Sequence, residues 1–230
     1  MNKIDKSLTK TVKTSDLQNV STDLTEVILD SMLDDGILKD IPILGSIVGM
    51  GKTASTIKDA LFLKKIIYFL TELKDIPIEQ REKMIDSIDN SEKQKIKIGE
   101  KLIFILDKCD DYLDAKYIGQ FFRGFLESQI TYEEFLQGAR IIQNIYNGDL
   151  EYFLGRDLSK IEIEASTEEA PDDDTFPLIN SGICGFGYNP TRVEDQRDYE
   201  ISDKYIVKGG EVVIWITSIG KKLKDILKIE

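Results

Sequence analysis

The chain has 230 residues, 41% of them hydrophobic and 31% charged, enough to bury one large core or two small ones. Its 42 acidic residues against 30 basic ones give a net charge of −12, which repels phosphate backbones and anionic membrane surfaces and disfavours nucleic-acid binding. Histidine is absent, which excludes Ser-His-Asp and Cys-His catalysis and every histidine-ligated metal site.

Met1 to Val20 is polar and rich in Lys, Ser and Thr, and reads as a flexible tail over residues 1–20 without the apolar core of a signal peptide. A first helix is predicted over Asp23 to Leu33, where Leu24, Val27, Ile28 and Met32 share one face. Asp23 with Glu26 reads as its capping box and Gly36 as its stop. The longest uncharged run, Ile41 to Gly51, is well short of the roughly 20 residues needed to span a bilayer. These features place the protein in the cytoplasm, with the periphery of the inner membrane as an alternative.

Pro42 argues against a continuous helix from residue 37, and a helix starting there puts Gly45 and Gly49 on one face, as close packing requires. A long helix over 53–74 follows, with Ile57, Leu61, Phe62, Ile66, Phe69, Leu70 and Leu73 on its apolar side and Pro77 as its end. The 41–73 segment has two readings. Either it is a buried helical hairpin, or it is a membrane- or partner-seeking segment presenting Ile41, Ile43, Leu44, Ile47, Val48, Ile57, Leu61, Phe62, Ile66, Phe69 and Leu70, with its lysines snorkelling toward headgroups. The buried reading is the simpler one.

Further helices are predicted over Glu79 to Ile88, from Ser91 to about Lys108, over Asp114 to Leu126 and over Tyr132 to Tyr146, the last capped by Thr131. Ile96, Leu102, Ile103, Ile105, Leu106 and Cys109 form the expected buried side of the second of these. Ile161 to Thr191 has no Lys or Arg, and Glu162 to Asp174 carries seven acidic residues plus Pro171, so residues 159–175 read as an acidic linker. Beyond it, Phe176 to Cys184 reads as a short helical turn ending at Gly185. Tyr199 to Val207 and Glu211 to Thr217 read as strands of a hairpin about Gly209-Gly210, and Ile219 to Ile229 as a closing helix. Apolar residues on both faces of Val212 to Thr217 predict a strand covered on both sides. The fold class is mainly α: a helical domain over 21–158 and a small C-terminal α+β module over 176–230, with a winged-helix-like hairpin.

Three constellations invite chemistry. Gly45 to Thr53, GSIVGMGKT, approaches a phosphate-cradling P-loop with Gly51, Lys52 and Thr53 as nucleotide contacts, and Leu102 to Asp107, LIFILD, imitates the metal-holding strand that accompanies one. Against this, Ser46 stands where the first glycine belongs, and Lys39, Asp40 and Pro42 stand where a buried strand is required. Asp107, Asp110, Asp111 and Asp114 cluster, but Tyr112 stands where a calcium loop needs glycine, so a solvated helix face is the better reading. Cys109 and Cys184 form no CxxC and read as free thiols. The helix-turn-hairpin order at the C-terminus suits a winged-helix DNA reader, yet Phe176 to Cys184 has no basic residue and the wing offers only Lys204 and Lys208. No catalytic residue, metal site or cofactor is expected.

Two stretches, DIPILGSIVGMGKTASTIKDALFLKKIIYFL within 37–73 and ITYEEFLQGARIIQNIYNGDLEYFL within 118–154, resemble a group of bacterial proteins associated with phage defence. The ending, LINSGIC through WITSIGKKLKDIL, is similar to the C-terminus of the abortive-infection alpha-type proteins. The resemblance covers about half the chain and transfers no functional residue. It implies a bacterial, non-enzymatic antiviral-defence protein acting through protein contacts, with a protein partner or a second copy of itself.

Overall fold

The computed structural model describes residues 3–21, 41–50, 57–157, 174–195 and 205–229. The helix expected over 23–33, the acidic stretch up to residue 173, and Gly51, Lys52 and Thr53 lie outside them. The chain is mainly helical with a small antiparallel C-terminal part, and it divides into two compact units, 1–143 with 226–228 and 230, and 144–225 with 229.

The first unit begins with a correction. Lys3–Thr14 is a helix (α1), not a flexible tail: Leu8, Val12, Leu17 and Val20 are buried. The helix escapes a composition-based reading because its apolar residues are few, but they fall on one face among lysines and threonines. Long-range polar contacts hold it, among them Ser7 with Ser46 and Lys13 with Asp86, both at 2.6 Å, and two that satisfy backbone groups. The Thr11 hydroxyl accepts the Ile43 amide at 3.0 Å, at the start of α2 (Pro42–Met50). Pro42 has no N–H there, and Thr11 satisfies the next orphan amide of the helix. At the same C-terminal end of α1, Arg81 of α4 (Ile78–Asp89) is 1% exposed and directs its fork at backbone carbonyls: Nη1 to Val12 at 2.7 Å, Nη2 to Ser15 at 2.8 Å and Nε to Ile76 at 3.1 Å. A guanidinium is suited to closing a helix C-terminus, where carbonyls lack partners and the dipole favours a cation.

Between α2 and α4 lies α3 (Ile57–Thr71), which ends before Pro77; that proline is the residue preceding α4. The next helix, α5 (Ile98–Asp107), starts later than expected. Residues 91–97 form turns, Ile96 is exposed, and Asp89 rather than Ser91 accepts the Ile98 amide at 2.8 Å. Asp111 caps α6 (Tyr112–Leu126), and Thr131 with Glu134 forms a complete capping box on α7 (Tyr132–Ile142). Phe69, Phe122, Phe125, Tyr132 and Phe135 then join α3, α6 and α7 in one aromatic cluster, with Phe122 and Phe135 edge-on at 5.0 Å. Such contacts need close backbones. An added Cβ at Gly138 would stand 2.1 Å from the Phe121 ring, and one at Gly99 would stand 2.5 Å from the Asp5 carbonyl of α1.

The second unit runs from α8 (Asn147–Gly155) through α9 (Phe176–Ser181) to strands β1 (Cys184–Tyr188), β2 (Arg192–Asp195), β3 (Tyr205–Lys208) and β4 (Val212–Ile216), and α10 (Ser218–Ile226). Its core contains Ile145, Leu150, Phe153, Leu178, Ile183, Ile214, Ile216 and Leu223. Lys224 repeats the device of Arg81: its ammonium donates to the carbonyls of Phe153, Leu154 and Arg156 at the end of α8. Burial lowers its pKa, and Asp157 offsets part of that shift. Thr217 caps α10, accepting the Gly220 amide at 3.0 Å.

The strands correct two expectations. The left-handed Gly182, not Gly185, ends α9, and Cys184 and Gly185 belong to β1. Gly209-Gly210 is not a hairpin turn either, because β3 pairs with β2 and β4 pairs with β1. The register does not change between the pairs: Tyr188 faces Val212, Arg192 faces Lys208, and Asn189, Pro190 and Thr191 stand against Gly209, Gly210 and Glu211. The four strands are therefore one long two-stranded ribbon with a break in its middle. At the break Pro190 cannot donate to a ladder. Asn189 receives the Gly210 amide at 3.0 Å and gives its own to Glu211 at 2.9 Å. Gly209 has φ +91, and a Cβ there would stand 2.2 Å from the Pro190 carbonyl oxygen, so only glycine fits.

Candidate functional site

Among the residues of the apolar 41–73 segment, Ile41, Ile43, Leu44, Ile47, Ile66, Phe69 and Leu70 are buried and Phe62 is half-buried. Leu61 faces outward at 56% exposure, and the side chains of Val48 and Ile57 lie outside the described residues. Gly45 is exposed, and the described packing face of α2 is made by Ile43, Leu44, Ser46 and Ile47. Of the lysines of α3, Lys58 is exposed, Lys64 sits over the Tyr112 ring at 3.9 Å and Lys65 donates to the Cys109 carbonyl.

The remaining polar candidates have structural tasks. LIFILD lies wholly in helix α5. Within the aspartate cluster, Asp111 caps α6 and Asp114 accepts the Asp110 amide at 2.8 Å. Cys109 and Cys184 are buried free thiols. Burial, with Asp114 next, pushes Cys109 up to about 12, and burial pushes Cys184 up to about 11. A thiol that stays protonated at neutral pH is a poor nucleophile.

The surface that sequence reasoning missed is on the ribbon. On one face the inner positions Cys184, Ile214 and Ile216 are buried, while Phe186 and Tyr188 on the same face are 53% and 68% exposed. Their rings meet edge-on at 6.4 Å. On the other face, Trp215 lies over a glycine track: a Cβ at Gly185 or Gly187 would stand 2.7 or 3.3 Å from its indole. Trp215 is nevertheless 46% exposed, so β4 is covered on one side only, not on both. The glycines make room for a flat indole, which shields the backbone that they leave bare. Val193, further out, is exposed as well. The signal in the sequence was the alternation Gly185-Phe186-Gly187-Tyr188, which puts every side chain of that strand on one face.

The arrangement holds large, stiff aromatic groups in water on a two-stranded ribbon. That suits contact with another surface. Among the described residues, no helix is long and apolar enough to cross a membrane. No family model matches this chain, and neither a characterised protein nor a solved structure matches it.

Proposed function

We propose that this chain is a non-enzymatic bacterial defence protein of the abortive-infection kind that its sequence resembles, and that it acts through protein contacts made by the aromatic ribbon. The observation that carries this reading is the exposure of Phe186 and Tyr188 on one face, and of Trp215 on the other, of a ribbon whose root is buried. Exposed aromatic clusters on a firm scaffold are the usual anchors of protein interfaces. The burial of both thiols and the commitment of Arg81 and Lys224 to backbone carbonyls favour binding over catalysis.

Membrane perturbation by residues 41–73 is the less economical version. It would require Ile43, Leu44, Ile66, Phe69 and Leu70 to leave a core in which each is stabilised by roughly 1.5–3 kcal/mol.

Phage plating on bacteria expressing the chain tests the proposal, with Phe186→Ser/Tyr188→Ser as the critical variant. Wild type should lower plating efficiency, and the variant should restore it while keeping the wild-type melting temperature. Absence of protection across a broad phage panel would remove the defence reading. Undiminished protection by the variant would remove the ribbon as the contact surface.

A further inference from the structure

Helices α5 and α7 of the first unit enclose a cleft of about 220 Å³. Its floor is apolar, made by the buried Ile105 and Ala139 with Leu136 beside them. Its walls carry Lys101, Lys108 and Arg140, and none of the lining residues is acidic. Phe104 stands at the same cleft with half of its surface, 52%, in water. Gln143 ties the two helices together across it, donating to the Ile105 carbonyl at 2.7 Å. Three cations around one exposed phenyl ring are a local inversion of a chain whose net charge is −12.

We infer that this cleft binds a short acidic segment of a partner protein, one bulky apolar side chain flanked on both sides by carboxylates. The cleft is smaller than the roughly 300–1,000 Å³ of ordinary small-molecule pockets, and its volume suits one side chain, not a nucleotide. The apolar floor and Phe104 receive that side chain. Lys101 in α5 and Lys108, the residue that follows its last turn, are seven positions apart, which sets their separation at about 10 Å along the helix axis. The recognised carboxylates have the same spacing, one on each side of the anchor, with Arg140 closing the opposite wall.

The charge of the whole chain narrows the occupant. Screening confines each charge to about 8 Å at physiological salt, so a short segment responds to the charges at the cleft rather than to the net charge of the chain. A nucleic-acid strand needs a basic track longer than three cations, and a chain of net charge −12 gives it no general attraction. The inference rests on the protein-contact reading but uses the other compact unit, so loss of either surface can be told from loss of the other.

Fluorescence anisotropy on the full chain tests it. The probe is a labelled peptide with a central leucine between pairs of aspartates; its lysine counterpart, ATP, inorganic phosphate and a short oligothymidylate serve as comparators. The acidic peptide should bind alone among these. Lys101→Glu and Lys108→Glu should each weaken it by about tenfold or more, and Phe104→Ala by a similar factor. Raised salt should weaken it, and Phe186→Ser/Tyr188→Ser should leave it unchanged. The charged positions are on the surface, and unaltered circular dichroism confirms that the variants fold. Equal binding of the lysine peptide, tighter binding of ATP, phosphate or oligothymidylate, or indifference to Lys101→Glu and Phe104→Ala would overturn the inference.

Discussion

Arg81 is the residue on which the N-terminal helix depends. Its removal would leave three buried carbonyls without donors, and each orphan costs about 1–3 kcal/mol. Arg81→Met should therefore lower the unfolding free energy by about 3–5 kcal/mol in urea titration. Arg81→Lys should recover only part of the loss, because an ammonium cannot reproduce the fork. The thiols make a second prediction, this time about pH. Cys109 is raised from the ordinary 9.0 to about 12 in the folded chain, so between these values the unfolded state releases a proton that the native state keeps. Stability from this group is complete below pH 9 and falls above it, by about 1.4 kcal/mol per pH unit. Cys109→Ala should flatten the alkaline limb of the stability profile, and neither thiol should react with a thiol reagent in the native protein at neutral pH.

At the scale of elements, the glycines decide how closely helices and strands approach. Replacing a mid-helix glycine by alanine ordinarily gains about 1 kcal/mol from helix propensity. At Gly138 that gain should be exceeded by the cost of displacing the fully buried Phe121, so Gly138→Ala should melt lower than wild type, with a net loss of about 1 kcal/mol or more. Gly209→Ala should cost about 1–2 kcal/mol from its left-handed backbone alone, before the collision with Pro190 is counted. Its local signature would be loss of amide-exchange protection in β2 and β3, with α3 and α6 unchanged.

For the molecule as a whole, the periodicity of α4, α6 and α7 was legible in the sequence, as were the caps at Thr131 and the helical class. Each of those signals is local. What escaped was set by distant partners. The amphipathic face of α1 is narrow, and its anchors, Arg81 and the α2 amide, are far along the chain. The Gly209-Gly210 pair has the composition of a hairpin turn, but its meaning depends on Asn189 and Pro190 opposite it. The aromatic surface was hidden for the same reason: alternation tells which residues share a face, not which end of that face is buried. Hydrogen exchange measures the remaining alternative at this scale. Amides of α2 and α3 should be strongly protected in buffer and equally so with liposomes. Weak protection that rises on adding lipid would favour membrane release.

The unbroken register of the ribbon limits how its sequence can change in length. Side chains alternate between faces with a period of two. Deleting one residue between Lys208 and Val212 leaves two choices. Either Cys184 stays opposite Ile216 and β2 or β3 turns its side chains over, or the outer pairs hold and Ile214 and Ile216 leave the core while Trp215 leaves its glycine track. Insertions and deletions in this region are therefore tolerated only as matched changes in both arms. Chains that carry the same ribbon should keep three residues on each side of the break.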